Sequence, residues 1–93
     1  MARKKLSERE IQSALADLND WKIEGLNLTK RFEFGNFAEA LNFVNRVGER
    51  AEAADHHPDV SFGWGYAEFA ITTHDTDGLT QNDFDLAKEI ENL

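Results

Sequence analysis

Apolar residues recur along this chain with two different periods, and the switches between them divide it into seven elements. Helical spacing appears three times, each time behind a readable start. Ser7-Glu8-Arg9-Glu10 has the form of a capping box, in which the Ser7 hydroxyl accepts from the Glu10 amide and the Glu10 carboxylate reaches back. Leu6 and Ile11 stand where a hydrophobic staple falls, and Ile11, Ala14, Leu15 and Leu18 share one face. Asn36 is placed to cap a second helix whose stripe runs Phe37, Ala40, Leu41, Val44, Val47, Ala51, Ala54. Pro58 disfavours helical geometry at His57, so this helix stops before it. Thr80 starts a third, with Asp83 at the box position, a Leu79/Phe84 staple, and Phe84, Ala87 and Ile90 as its buried stripe.

Between the helices the period falls to two. Trp21 and Ile23 alternate with polar residues, Glu24-Gly25 supplies a turn, and Leu26, Leu28, Phe32 and Phe34 alternate again. Val60, Phe62 and Trp64 form a third run, in which Trp64 reads as a core residue. Ala67, Phe69, Ile71 and Thr73 form a fourth, which sends Tyr66, Glu68, Ala70, Thr72 and His74 to the other face. Gly63 and Gly65 favour a tight reversal between these two. The expected order is α-β-β-α-β-β-α, an α+β fold with a four-stranded, mostly antiparallel sheet and three helices on one face. The other face is then left to solvent or to a second subunit.

With 93 residues the chain makes a single domain over 1–93. A domain this small buries only about 60–65% of its unfolded surface, which makes a homo-oligomer, dimer or tetramer, an expected remedy. The absence of cysteine excludes disulfides, thiolate nucleophiles and zinc–thiolate sites. Ten Lys and Arg against 18 Asp and Glu give a net charge of −8, which disfavours a nucleic-acid partner. The one basic run, Arg3-Lys4-Lys5, reads as part of a solvated, disordered tail over residues 1–5. With no apolar stretch of membrane-spanning length and no signal-peptide core, the expected setting is cytoplasmic, without membrane contact.

The candidate chemistry is concentrated in one region. All three histidines fall between positions 56 and 74. If the third strand pairs with the fourth, the segment before one lies beside the end of the other, which brings His56 and His57 near His74 and puts Asp83 close behind. Imidazole can both donate and accept a proton near neutrality, so such a cleft suits a reaction that needs acid and base in turn. Two other readings stand beside this one. Histidines at strand ends are often merely exposed, and His side chains with Asp55, Asp59 or Asp75 are a possible zinc set, although no i, i+4 His pair supports it.

The spacing itself resembles the pterin-4a-carbinolamine dehydratase family. That family carries an acidic residue, three spacers, His-His-Pro, an aromatic five or six residues later, then His and Asp. Here Glu52 is followed by Ala53-Ala54-Asp55, then His56-His57-Pro58, Trp64, His74 and Asp83, with Gly78-Leu79-Thr80 and Leu86-Ala87 extending the likeness. The resemblance implies the same fold and the removal of water from a 4a-hydroxytetrahydropterin to give the quinonoid dihydropterin, recycling the cofactor of an aromatic amino-acid hydroxylase. Under it the pterin is the substrate, and no metal, nucleotide or redox cofactor is required. It implies His56 and His74 as the proton-transfer pair and His57 as a holder of the pterin edge. Trp64 would stack on the ring, Glu52 would contact pterin or a histidine, and Asp83 would orient His74 and favour its charged form. For Glu52 a plain solvated carboxylate, and for Asp83 a plain helix cap, remain as alternatives. A different class of function, a non-catalytic interaction module, is also known among relatives that act as dimerisation partners of a transcription factor. Retention of all three histidines argues for catalysis.

Overall fold

The computed structural model describes residues 4–93 and contains, in order, α1 (Glu8–Ala16), β1 (Lys22–Glu24), β2 (Asn27–Glu33), α2 (Phe37–Ala54), β3 (Asp59–Gly63), β4 (Tyr66–Ile71) and α3 (Gln81–Glu91). A 3₁₀ turn, His74–Thr76, intervenes before α3. The α-β-β-α-β-β-α order is the expected one. Each helix also begins where its cap was read. Ser7 and Glu10 exchange backbone-to-side-chain bonds of 3.1 and 2.8 Å, Asn36 Oδ1 accepts from the Glu39 amide at 2.9 Å, and the Thr80 amide donates to Asp83 at 2.8 Å. At Glu10 the Ser7 backbone N–H, then the Ser7 hydroxyl and Lys4, hold the carboxyl below its ordinary range.

The strands form one sheet in the order β1-β2-β4-β3, antiparallel throughout. The register sets Leu28 opposite Ile71, Phe32 opposite Ala67, and Val60 opposite Phe69. Because successive side chains alternate faces, Leu28, Ala67, Phe69 and Ile71 point into one core, where they meet Val47 of α2 and Phe84, Leu86, Ala87 and Ile90 of α3. Ile11, Ala14 and Leu15 of α1 close the same core, so all three helices cover one face. The opposite face carries Lys22, Glu24, Arg31 and Glu68, with Arg31 bridging Glu33 and Glu68.

Three details depart from the sequence reading. Leu26 lies in the β1–β2 turn and is 54% exposed, behind Gly25, whose φ of 62° reverses the chain. Trp64 and Gly65 (φ 82°) form the β3–β4 turn, so Trp64, in phase with Val60 and Phe62 but beyond the strand, is 72% exposed and not in the core. The fourth strand ends at Ile71 and not at His74. Pro58 is the residue that would extend β3 alongside Ile71, and it has no N–H to give to the ladder; past Ile71 the chain makes one isolated bridge, Thr73 to Gly78, and tightens into the 3₁₀ turn. Of the basic run, Arg3 lies outside the described residues, while Lys4 and Lys5 are exposed, Lys4 reaching within 4.0 Å of Glu10.

Candidate active site

The end of α2 and the stretch after β4 line one cleft, and the start of α3 is tied to it through His56. At the end of α2, Asp55 takes a left-handed conformation (φ 51°, ψ 43°), the His56 amide bonds back to the Ala51 carbonyl at 3.1 Å, and the Asp55 amide to Glu52 at 3.2 Å. This paired closure is the Schellman ending, here made by an aspartate where glycine is usual. The turn it makes drives His56 inward, to 6% exposure, and leaves the His57 side chain 53% exposed. Asp55, His56 and His57 line a cleft of about 290 Å³ together with Thr72, His74 and Asp75 from the far side of β4. The hairpin inference therefore places the three histidines correctly, although His74 is delivered by the 3₁₀ turn and not by the strand.

Asp83 sits in the first turn of α3 and is completely buried. Its Oδ1 lies 2.5 Å from His56 Nε2, while Oδ2 accepts from the Thr73 hydroxyl and the Thr80 amide, each at 2.8 Å. The carboxylate expected to orient His74 thus meets His56 instead, because the left-handed exit from α2 carries that ring towards α3. A second pair forms at the surface, where Glu52 Oε2 approaches His57 Nε2 at 2.5 Å with side-chain exposures of 77% and 53%. Glu52 lies in the last turn of α2, five residues before His57, and the left-handed turn at Asp55 folds His57 back beside it. His74 is exposed at the cleft margin.

Trp64 is not brought to this cleft. It stands at the opposite end of the β3–β4 hairpin, on the order of 20 Å from His57 at the usual rise per strand residue. Among the described residues, no three His, Asp or Glu side chains converge in a way that could hold a metal ion. Two residues the sequence reading gave no part in the site are Thr73 and Thr80, 1% and 2% exposed, with hydroxyls 2.9 Å apart behind Asp83. The signal was present at Thr73: a hydroxyl that continues the inward phase of Ala67, Phe69 and Ile71 must find a partner.

A family model described as Pterin 4 alpha carbinolamine dehydratase matches residues 4–93. The chain belongs to that family. Relatives provisionally named pterin-4-alpha-carbinolamine dehydratase include one from Rubrobacter xylanophilus, 46% identical over 89 residues, covering 95% of this chain and 83% of its own. Another, from Picosynechococcus, is 45% identical and covers 96% of this chain and 97% of its own. The crystal structure of a transcriptional coactivator/pterin dehydratase from Brucella melitensis superposes with a TM-score of 0.90 at 28% identity, covering 96% of this chain and 97% of that one. A pterin dehydratase-like protein described as a RuBisCO assembly factor in the alpha-carboxysome shares the fold, with a TM-score of 0.64 at 20% identity over 77% of this chain and 83% of its own. Dehydratases of this family thus share their scaffold with proteins whose names point elsewhere.

Proposed function

We propose that the cleft dehydrates a 4a-hydroxytetrahydropterin by histidine acid–base catalysis. The observation that carries this reading is the convergence of His56, His57 and His74 on one cleft, with His56 held by a buried carboxylate. In the reaction the C4a–O bond breaks, and hydroxide is a poor leaving group unless an acid protonates it on departure. The C4a–O bonding electrons leave with the oxygen, the lone pair of the adjacent ring nitrogen forms the C=N bond, and a base removes the ring N–H proton, so no cation persists. One proton is given and one is taken; water and the quinonoid dihydropterin are the products. His56 and His74 are the donor–acceptor pair, and His57, steadied by Glu52, holds the pterin edge. The pterin enters as substrate, and the steps need no further cofactor.

The test generates carbinolamine with phenylalanine hydroxylase and follows its ultraviolet decay in the presence of this protein. The expected result is acceleration over buffer, with kcat lowered about 10²–10⁴-fold in His56→Ala or His74→Ala, the scale of one general acid or base. Full activity in both variants would overturn the mechanism. No acceleration by the intact protein would favour an interaction module, a role consistent with the coactivator part of the Brucella relative's name.

A homo-oligomer remains part of this reading, with a different surface in view. The open sheet face is charged, whereas Phe37 and Leu41 of α2 and Val60 and Trp64 on and beside the free edge strand β3 are all exposed. An unpaired strand edge flanked by apolar side chains is a surface on which a second copy can add.

A further inference from the structure

Behind His56 lies a polar string that the reaction above leaves unused. Thr73 points inward in phase with Ala67, Phe69 and Ile71, where valine would fill the same volume without a hydroxyl to satisfy. Burying that hydroxyl is unfavourable unless it is bonded, and its neighbours are Asp83 Oδ2 at 2.8 Å and Thr80 Oγ1 at 2.9 Å. A threonine has one hydroxyl proton. At Thr73 it goes to the carboxylate, so the Thr80 hydroxyl donates to Thr73. Oδ2 is then filled by two donors, Thr73 O–H and Thr80 N–H, leaving Oδ1 to face His56 Nε2 at 2.5 Å.

The direction of these bonds fixes the ring. An ionised carboxylate only accepts, so the proton in that contact belongs to Nε2, and in the neutral imidazole Nδ1 is bare. Among the described residues the one buried side-chain polar atom without a partner is Trp21 Nε1. His56 Nδ1 has no partner among them either, so it is open to the cleft that His56 lines. We propose that Thr73 is a positioning residue: by pinning Asp83 from behind it holds His56 in the Nε2–H form and presents Nδ1 as the atom that exchanges protons with substrate. The identity of that substrate rests on the dehydratase reading; the state of the ring does not.

Imidazole ¹⁵N–¹H correlation spectra of the full chain, recorded beside kinetics for wild type, Thr73→Val and Thr73→Ser, test this. In wild type the His56 proton should reside on Nε2, far downfield and slow to exchange with water. Thr73→Val should move that resonance upfield, speed its exchange, and lower kcat about tenfold at unchanged KM, the rate equivalent of one neutral hydrogen bond. Thr73→Ser, which keeps the hydroxyl, should restore both. A wild-type proton on Nδ1, or a His56 resonance unmoved in Thr73→Val, would overturn the proposal. So would a Thr73→Ser variant that folds but fails to rescue. A wild type inactive on the carbinolamine that still shows the Thr73-dependent signal would refute the dehydratase reading and uphold the positioning role.

Discussion

Replacing Asp83 by asparagine separates a helix cap from a working part of the site. The carboxylate receives three donors, His56 Nε2, Thr73 O–H and Thr80 N–H, and two of these share Oδ2. Asparagine keeps one oxygen, which belongs on the side of Thr73 and Thr80, so its NH₂ must face His56. Nε2–H then meets another donor. The ring relieves this only by moving its proton to Nδ1, which removes the free lone pair from the cleft. In energy, the two surviving bonds change from charge-assisted, about 1.5–3 kcal/mol each, to neutral, about 0.5–1.5. The positive end of α3 also loses about 0.3–1 kcal/mol of charge interaction, while relief from burying an ion offsets part of the total. The net expectation is a loss of about 1–2 kcal/mol, and each kcal/mol lowers Tm by about 4–8 °C in a domain of this size. The kinetic loss should be larger, about 10²–10⁴-fold in kcat, because the reacting nitrogen is in the wrong protonation state. The assay pairs a melting curve with carbinolamine decay on the same preparation. A lowered Tm with unchanged kcat would refute the reasoning and leave Asp83 a cap alone.

Other perturbations have distinct expected outcomes. Glu52→Gln should leave Tm unchanged and raise KM about 1.5–5-fold, the value of an exposed ion pair, read from initial rates against carbinolamine concentration; a kcat loss above tenfold would place Glu52 in the chemistry. Asp55→Gly should relieve the left-handed backbone and raise stability by about 0.5–1 kcal/mol, measured by thermal melting, with kcat retained because the chain path into His56 is unchanged. Phe37→Ala combined with Trp64→Ala should shift sedimentation at micromolar concentration towards the 10.6 kDa monomer; a wild type already monomeric there would remove the edge-association reading.

The sequence was most legible where one residue type has one local task. Ser7, Asn36 and Thr80 each announced a helix, and the period-two runs gave strands whose pairing put Ala67, Phe69 and Ile71 inside. The misreadings fall where an element stops. Alternation alone cannot tell Phe62, the last inward residue of β3, from Trp64, which continues its phase into a two-residue turn. His74 was assigned to a strand because Thr73 keeps the phase, yet the ladder ends at Ile71, opposite a proline that cannot donate. The partner of Asp83 was misread for a related reason. Whether His56 or His74 reaches it depends on the left-handed residue at the end of α2, and an aspartate there gives no sequence signal of the kind glycine would.

These stopping points are also where the candidate site is built. A helix end or strand end leaves backbone donors and acceptors without partners, and here the groups that satisfy them are the ones that hold the histidines. Asp83 Oδ2 takes the Thr80 amide, an unpaired donor at the start of α3, while Oδ1 of the same carboxylate holds His56. The exit of α2 is closed by the His56 amide itself, so the bond that ends the helix also fixes where that ring begins. On the proposed mechanism stability and catalysis are therefore coupled at Asp83, where one group does both tasks, but separable at Asp55, whose left-handed backbone a glycine can supply. The contrast between those two aspartates, one residue before His56 and one across from it, distinguishes a site that depends on strain from one that depends on bonding. On the proposed mechanism the bonding through Asp83 carries the site, so Asp55→Gly should relax the strained turn without loss of rate whereas Asp83→Asn should not.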